Sequence, residues 1–158
     1  MSYNNLMKKN KFLILITVLI WFILFCDLLA SYYFLYWRFW WTDIIMHFLG
    51  GFWLTLCSYY LFYLSGWFNG LRFTKLKKRF YGFIKRHSFI VTSLTFVLSI
   101  SILWEVFELF FAFPLRGGYL SDTILDLIMD TVGWGVFYFL FLKKVKTSQK
   151  SKVYKVES

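Results

Sequence analysis

The 158-residue chain contains little charge and almost no proline. Only 16% of its residues are charged, and Pro114 is its single proline. Because ordinary soluble domains contain about 25% charged residues, this composition argues against a soluble globular protein. No Gly/Ser-rich or Pro-rich linker interrupts the sequence. We therefore expect one domain over residues 1–142, followed by a basic, disordered cytoplasmic tail over residues 143–158.

Several catalytic and cofactor-binding patterns are also missing. The sequence contains no P-loop, which argues against that class of nucleotide-binding protein, and no G-x-S-x-G motif of a serine hydrolase. Only one histidine, His47, lies in an apolar stretch, so a bis-histidine haem site is excluded. Cys26 and Cys57 lack metal-type spacing, and we interpret them as small buried side chains rather than a disulfide.

What the chain does contain is long apolar stretches. Apolar residues make up 59% of the sequence and aromatic residues 25%. Four stretches reach the roughly 20 residues that a helix needs to cross a bilayer, and they cover about 12–36, 43–64, 88–111 and 122–142. The first is too long for a signal peptide, so we expect it to be retained. The predicted fold is an all-α integral membrane protein with four transmembrane helices in a bundle.

Basic residues predict the orientation of this bundle. Sixteen of the 18 lie in three segments: the N-terminus, the loop between the second and third helices, and the C-terminal tail. The positive-inside rule therefore places both termini and the central loop in the cytoplasm, in a multi-pass protein of the cell membrane. Apolar residues recur at helical spacing from Phe73 to Ile84 in the central loop. We interpret this segment as an interfacial amphipathic helix on anionic lipid headgroups rather than a nucleic-acid site.

Acidic residues concentrate at one end of the predicted helices. Seven of the eight lie within the helices or at their outer ends, and only Glu157 lies in the tail. The seven are Asp27, Asp43, Glu105, Glu108, Asp122, Asp126 and Asp130. With the predicted orientation, all of them and His47 fall in the outer half of the membrane.

The spacing of these residues places them on common helix faces. Asp43 and His47 are four residues apart, Glu105 and Glu108 are three apart, and the three aspartates from 122 to 130 repeat every four residues. Charged groups that face lipid cost about 2.5–3.5 kcal/mol each on insertion scales, so these faces should point into the bundle. Close carboxylates must then be protonated or share a cation. Carboxylates with one imidazole suit Mg²⁺, Mn²⁺ or Zn²⁺.

Structural roles are the alternative for several of these residues. Asp43 and Asp122 lie at predicted helix N-termini, where aspartate caps free N–H groups. Asp27 stands alone and would serve equally to hydrogen-bond a neighbouring helix. His47 would serve as a satisfied core histidine, and the deeper acids as polar contacts between helices.

Three motifs follow one another within residues 43–135. They are Asp43-x3-His47-x2-Gly50-Gly51, then Trp104-Glu105-x2-Glu108, then Arg116 followed by Asp122-x3-Asp126-x3-Asp130-x2-Gly133. In this order and spacing the chain resembles the VanZ-like family and the related YjdF-like bacterial inner-membrane proteins. The resemblance implies a small multi-helix membrane protein and, for VanZ, an association with glycopeptide-antibiotic resistance, but no defined reaction. Glu108 and Asp130 replace residues typical of VanZ-like proteins, which favours the YjdF-like likeness.

The sequence predicts an outward-facing carboxylate and histidine site. Its candidate catalytic residues are Asp43, His47, Glu105, Glu108, Asp126 and Asp130. Its candidate metal ligands are His47, Glu105, Glu108, Asp126 and Asp130, and Arg116 is a candidate for binding an anionic group of an envelope lipid or lipid-linked substrate. Transport of protons or metal ions and a non-catalytic accessory role are the alternatives. The sequence leaves open whether the protein is an enzyme and whether a second copy or another membrane protein completes the bundle.

Overall fold

The computed structural model describes residues 3–65, 89–111 and 119–142. This part of the chain forms five helices, α1 (Tyr3–Tyr32), α2 (Leu35–Arg38), α3 (Trp41–Tyr59), α4 (Phe89–Phe111) and α5 (Tyr119–Phe137). α3 and α5 each continue into one π-helical turn, Tyr60–Leu64 and Tyr138–Leu142. The predicted amphipathic helix of the central loop, the Arg116 turn and the basic tail lie outside the described residues.

Four of these helices are long and apolar enough to cross a membrane. The candidate spans are Asn10–Tyr32, Trp41–Phe62, Phe89–Phe110 and Leu120–Leu140. Their outward surfaces are rich in apolar side chains, as a lipid-facing bundle requires; Trp21 is 68% exposed and Phe110 is 75% exposed. The predicted all-α bundle of four transmembrane helices is confirmed, and the protein is a multi-pass membrane protein.

The first membrane helix ends earlier than its apolar run. We expected it to continue to Tyr36, but α1 ends at Tyr32 and Phe34 adopts a left-handed conformation with φ 56° and ψ 34°. Such a conformation is unfavourable for a residue with a side chain, so surrounding contacts must hold it. Two residues later, the hydroxyl of Tyr36 donates a hydrogen bond of 2.6 Å to Oδ1 of Asp27, which connects α2 to α1. The break thus turns α2 back over the end of α1.

α3 is the central helix of the bundle, with contacts to α1, α4 and α5. Its closest approach is to α5, where Gly51 and Gly133 face the partner helix. A Cβ on Gly51 would overlap the main-chain carbonyl of Asp130, and one on Gly133 would overlap the carbonyl oxygen of Phe48. Small residues of this kind let membrane helices approach until their backbones touch. The contact places one turn of α3, which carries His47, directly against the acidic face of α5.

Apolar side chains fill the other end of the bundle. Leu56 and Phe137 are fully buried there, and the rings of Phe52 and Phe137 pack edge to face with centroids 5.6 Å apart. The N-terminal half of α1 covers this core with Phe12, Ile16 and Leu19. The bundle is therefore divided into an apolar half and a half that holds the acidic residues.

Trp53 connects α1 to α3 through a hydrogen bond in the apolar interior. Its indole Nε1 donates to the main-chain oxygen of Ile16 at 3.0 Å. We expect Trp53→Phe to lower the free energy of unfolding by about 0.5–1.5 kcal/mol, the usual net value of one hydrogen bond. Thermal unfolding in detergent measures the change. Trp21→Phe, at a 68% exposed position on α1, is the control, and equal losses in both variants would contradict the prediction.

Candidate functional site

The acidic half of the bundle brings together residues of α3 and α5. α3 contributes Asp43 and His47, and α5 contributes Asp126 and Asp130. Within each pair the residues are four apart and so lie on one helix face. The glycine contact between the two helices holds these faces opposite each other. We call these four residues, Asp43, His47, Asp126 and Asp130, the His47 cluster.

The imidazole of His47 lies among three carboxylates, and its two nitrogens face different ones. Nδ1 lies 3.4 Å from Oδ2 of Asp130. Nε2 lies 3.8 Å from Oδ1 of Asp43 and 3.8 Å from Oδ1 of Asp126. The first distance is that of a long hydrogen bond, whereas 3.8 Å exceeds hydrogen-bonding range. The Nε2 edge of the ring therefore faces a space between two carboxylate oxygens.

Asp126 is a deeply buried member of the His47 cluster, and one of its carboxylate oxygens lacks a hydrogen-bond partner among the described residues. Asp126 is 3% exposed and Asp130 is 4% exposed, while the side chain of Asp43 keeps 38% of its surface exposed. Within the described part of the chain, Oδ1 of Asp126 is buried and has no hydrogen-bond partner. Leaving a buried acceptor unsatisfied costs about 1–3 kcal/mol, and more when the group is charged. A cation or a proton at this oxygen would remove that cost.

Three members of the cluster have the arrangement of metal ligands. One ligand atom from each of Asp43, His47 and Asp126 lies within 4.8 Å of the others. Zn²⁺ with bonds of about 2.0–2.2 Å spaces its ligand atoms at roughly 3–3.5 Å, so small side-chain rotations would close this set around an ion. Asp130 lies on the far side of the ring, at Nδ1. A carboxylate in that position fixes the tautomer and orientation of a metal-binding histidine.

The two glutamates of α4 take different places. Glu105 is buried, and its Oε2 accepts a hydrogen bond of 2.8 Å from the hydroxyl of Thr123 on α5. Glu108 is half-buried and accepts a hydrogen bond of 3.0 Å from the indole Nε1 of Trp104, one turn earlier. Neither glutamate therefore belongs to the three-residue group that could hold a metal, although the sequence placed both among the metal ligands.

A cavity of about 530 Å³ lies beside the His47 cluster. Side chains from all five helices line it, and most of its wall is apolar or aromatic, including Trp53 and Trp104. Its polar lining is Asp27, Tyr36, Asp43, His47, Ser101, Glu108 and Asp130. The cavity thus joins the cluster to Glu108 and to the Asp27–Tyr36 pair on α1 and α2.

Tyr36 closes one side of this cavity as a hydrogen-bond donor. Burial raises the pKa of its phenol above the ordinary value, and the hydrogen bond and charge of Asp27 raise it further. The phenol therefore stays protonated at physiological pH and continues to donate to Asp27. Sequence patterns did not indicate this role, because Tyr36 lies in an apolar stretch that predicts one continuous helix.

The family described as "Predicted membrane protein (DUF2238)" matches residues 4–147. The chain belongs to DUF2238. The match covers all four membrane spans and every residue of the His47 cluster. No curated protein matches the chain, and no solved structure matches it.

DUF2238 is a family of membrane proteins of unknown function. The roles of the residues in this chain are therefore inferred from the geometry of the site. The structure brings four of the six candidate catalytic residues into one cluster and places Glu108 on the wall of the adjoining cavity. Glu105 lies beside Thr123, and Arg116 lies outside the described residues. Sequence reasoning missed Tyr36, Ser101 and Thr123. Their side chains are uncharged, so placing them in a membrane helix has no large free-energy cost that would mark them as functional.

Asp43 and Asp122 differ in what they do at the start of their helices. Asp43 lies in the first turn of α3, and Trp40, at the N-cap of that helix, makes no side-chain capping hydrogen bond. The Asp43 carboxylate faces His47 instead. Asp122 is exposed in the first turn of α5. Of the two aspartates, the geometry therefore assigns only Asp43 to the cluster.

Proposed function

We propose that the protein holds a divalent metal ion between Asp43, His47 and Asp126. We propose further that the ion supports chemistry on an envelope lipid or lipid-linked substrate in the adjoining cavity. The observation that carries this proposal is the His47 ring, whose Nε2 faces two carboxylate oxygens while its Nδ1 faces a third carboxylate. Because Asp130 lies at Nδ1 and orients the ring, Nε2 is available as a metal ligand.

The donor set indicates the kind of ion. One imidazole nitrogen and carboxylate oxygens suit Zn²⁺ or Mn²⁺, and a carboxylate-rich site also admits Mg²⁺. A bound divalent ion polarises a phosphoryl or carbonyl oxygen and lowers the pKa of bound water. The 530 Å³ cavity provides space for a substrate group beside the site. With the predicted orientation, the site would lie in the outer half of the membrane, and Arg116 would orient an anionic group near it.

Transport of protons or metal ions is the second candidate, and the sequence of the spans weakens it. Residues 12–26, 48–65, 89–104 and 131–142 contain no Asp, Glu, Lys, Arg or His. A proton or metal ion that moves from the His47 cluster to the opposite side of the membrane would have to cross this half of the bundle, whose helices contain no ionisable side chains of these types. A site that opens to one side fits the sequence better than a path through the membrane.

The metal content of the protein purified in nanodiscs tests the proposal. We expect about one divalent ion per chain in the wild type after exposure to Mg²⁺, Mn²⁺ and Zn²⁺, and none in His47→Ala or Asp126→Asn. The reason is that each variant removes one of three ligand atoms.

Asp122→Asn is the matched control, because Asp122 lies on the same helix as Asp126 but is exposed. It should keep the ion. A wild-type protein that binds none of the three metals would refute the proposal and favour a network of protonated carboxylates. A non-catalytic accessory role predicts instead that the cluster variants differ from the wild type in protein abundance but not in ligand binding.

The resemblance to VanZ-like and YjdF-like proteins stays a prediction within this proposal. It agrees with a small envelope-associated membrane protein, and it supplies no substrate. The motifs that carry it include all four residues of the His47 cluster.

A further inference from the structure

The wall of the cavity carries more acidic side chains than the proposed metal site uses. Among the cavity-lining residues that the structure describes, Asp27, Asp43, Glu108 and Asp130 are acidic, and His47 is the single basic side chain. A divalent ion at the His47 cluster would offset the charges at that end. Asp27 and Glu108 would remain on the other walls, without a cation beside them among the described lining residues.

Asp27 and Glu108 each accept a hydrogen bond from an aromatic side chain that also lines the cavity. Tyr36 donates to Asp27 at 2.6 Å, and Trp104 donates to Glu108 at 3.0 Å. The bonds hold both carboxylates in place and leave further acceptor positions on each. Carboxylates held in this way are a favourable environment for a cation that carries hydrogen-bond donors, because charge-assisted hydrogen bonds are the stronger ones.

Ser101 provides an independent sign of a ligand. It is 3% exposed and lines the cavity, and its Oγ has no hydrogen-bond partner among the described residues. Other hydroxyls of these helices bond their own backbone one turn earlier, as Ser99 does with the carbonyl of Thr95 and Thr131 with that of Leu127. A buried hydroxyl of a cavity-lining residue that lacks such a bond is satisfied when a polar ligand group in the cavity reaches it.

The cavity reaches the lipid-facing surface between α1 and α4. Leu24 on α1 lines the cavity and is 44% exposed, and on α4 Ile100 and Trp104 line it and are 37% and 52% exposed. All three lie within membrane spans. A molecule in the cavity could therefore keep an apolar chain in the bilayer while its polar group lies among the acidic residues.

We propose that the cavity binds a membrane lipid whose headgroup carries a primary ammonium. A primary ammonium has three N–H donors, and Asp27, Glu108 and Ser101 offer three acceptors around the cavity. A quaternary ammonium has no N–H donor, and an anionic headgroup would be repelled by both carboxylates. The inference rests on the proposed function, since it names the substrate class of the same cavity, with the headgroup phosphate near the metal site.

Lipid retention by the full-length protein tests this assignment. Native mass spectrometry would compare phosphatidylethanolamine, phosphatidylcholine and phosphatidylglycerol with identical acyl chains. We expect wild type to retain phosphatidylethanolamine over the other two by about tenfold, which is about 1.4 kcal/mol. Glu108→Gln and Asp27→Asn should each lose most of this preference, and Ser101→Ala part of it. Ser99→Ala and Asp122→Asn are the matched controls and should keep it.

The inference would be overturned by the absence of any headgroup preference in the wild type, or by a preference that survives in both Glu108→Gln and Asp27→Asn. Free phosphoethanolamine that competes as well as the lipid would also overturn it, because the apolar mouth would then play no part. Metal content measured on the same samples separates the two proposals. Bound metal without headgroup preference refutes only the lipid assignment, and headgroup preference without metal refutes only the metal site.

Discussion

Replacing Gly51 with alanine is expected to prevent α3 and α5 from packing together. The new Cβ would overlap the main-chain carbonyl of Asp130, and backbone cannot move aside as a flexible side chain can. Overpacking costs typically about 1–3 kcal/mol and occasionally more, and a contact between two helix backbones should fall at the upper end. We expect a sharp loss of folded protein, measured as the monodisperse fraction after purification and as the temperature of unfolding in detergent.

Two neighbouring glycines provide controls for that variant. A Cβ on Gly135 would meet nothing within 4 Å, and one on Gly50 would lie 3.7 Å from Oδ1 of Asp130, an ordinary contact. Gly135→Ala should keep or slightly raise stability, because alanine is favoured over glycine in a helix by about 0.8–1.0 kcal/mol. Equal stability of Gly51→Ala and Gly135→Ala would contradict the backbone contact between α3 and α5 at Gly51.

Asp130→Asn and Asp126→Asn are expected to affect metal binding in different ways. Asp126 would supply a ligand atom, so its loss should abolish binding. Asp130 would act through Nδ1 of His47, 3.4 Å from its Oδ2, by holding the ring and making it more basic. Loss of such an outer partner typically weakens metal affinity about 10–100-fold. Asp130→Asn should therefore still reach one ion per chain, but only at a correspondingly higher metal concentration.

Titration of each variant with Zn²⁺ or Mn²⁺ against a competing chelator measures this difference. Asp122→Asn, on the exposed part of α5, should bind as the wild type does. Equal, complete loss of binding in Asp126→Asn and Asp130→Asn would instead make Asp130 a direct ligand. The ion would then lie on the Nδ1 side of the His47 ring, beside Asp130, instead of at Nε2 between Asp43 and Asp126.

The membrane spans and the acidic end of the bundle followed from local patterns. A helix needs about 20 apolar residues to cross the bilayer, and that length can be read directly from the sequence. The pairing of Asp43 with His47 and of Asp126 with Asp130 on common faces follows from helical periodicity. Gly51 and Gly133 follow these pairs in the sequence, and small residues at such positions let membrane helices approach closely, as Gly51 and Asp130 do in the structure.

The break at Phe34 and the roles of Tyr36 and Ser101 did not follow from such patterns. An apolar run does not reveal where its helix stops, and no glycine or proline marks the left-handed residue at position 34. Serine is common in membrane helices, where its hydroxyl usually bonds its own backbone. Only the packed bundle shows that Ser101 lines a cavity and that Tyr36 reaches Asp27.

The sequence by itself determined the fold class, the four spans and the set of acidic residues at one end, because each depends on the length and periodicity of a single helix. The tertiary structure decided which carboxylates share the His47 ring. His47 and Asp130 are 83 residues apart, and their contact depends on the register of α3 against α5. That register is determined by the close packing of glycines on each helix against the backbone of the other. It depends on how the two helix surfaces fit together, so it cannot be read from either helix alone.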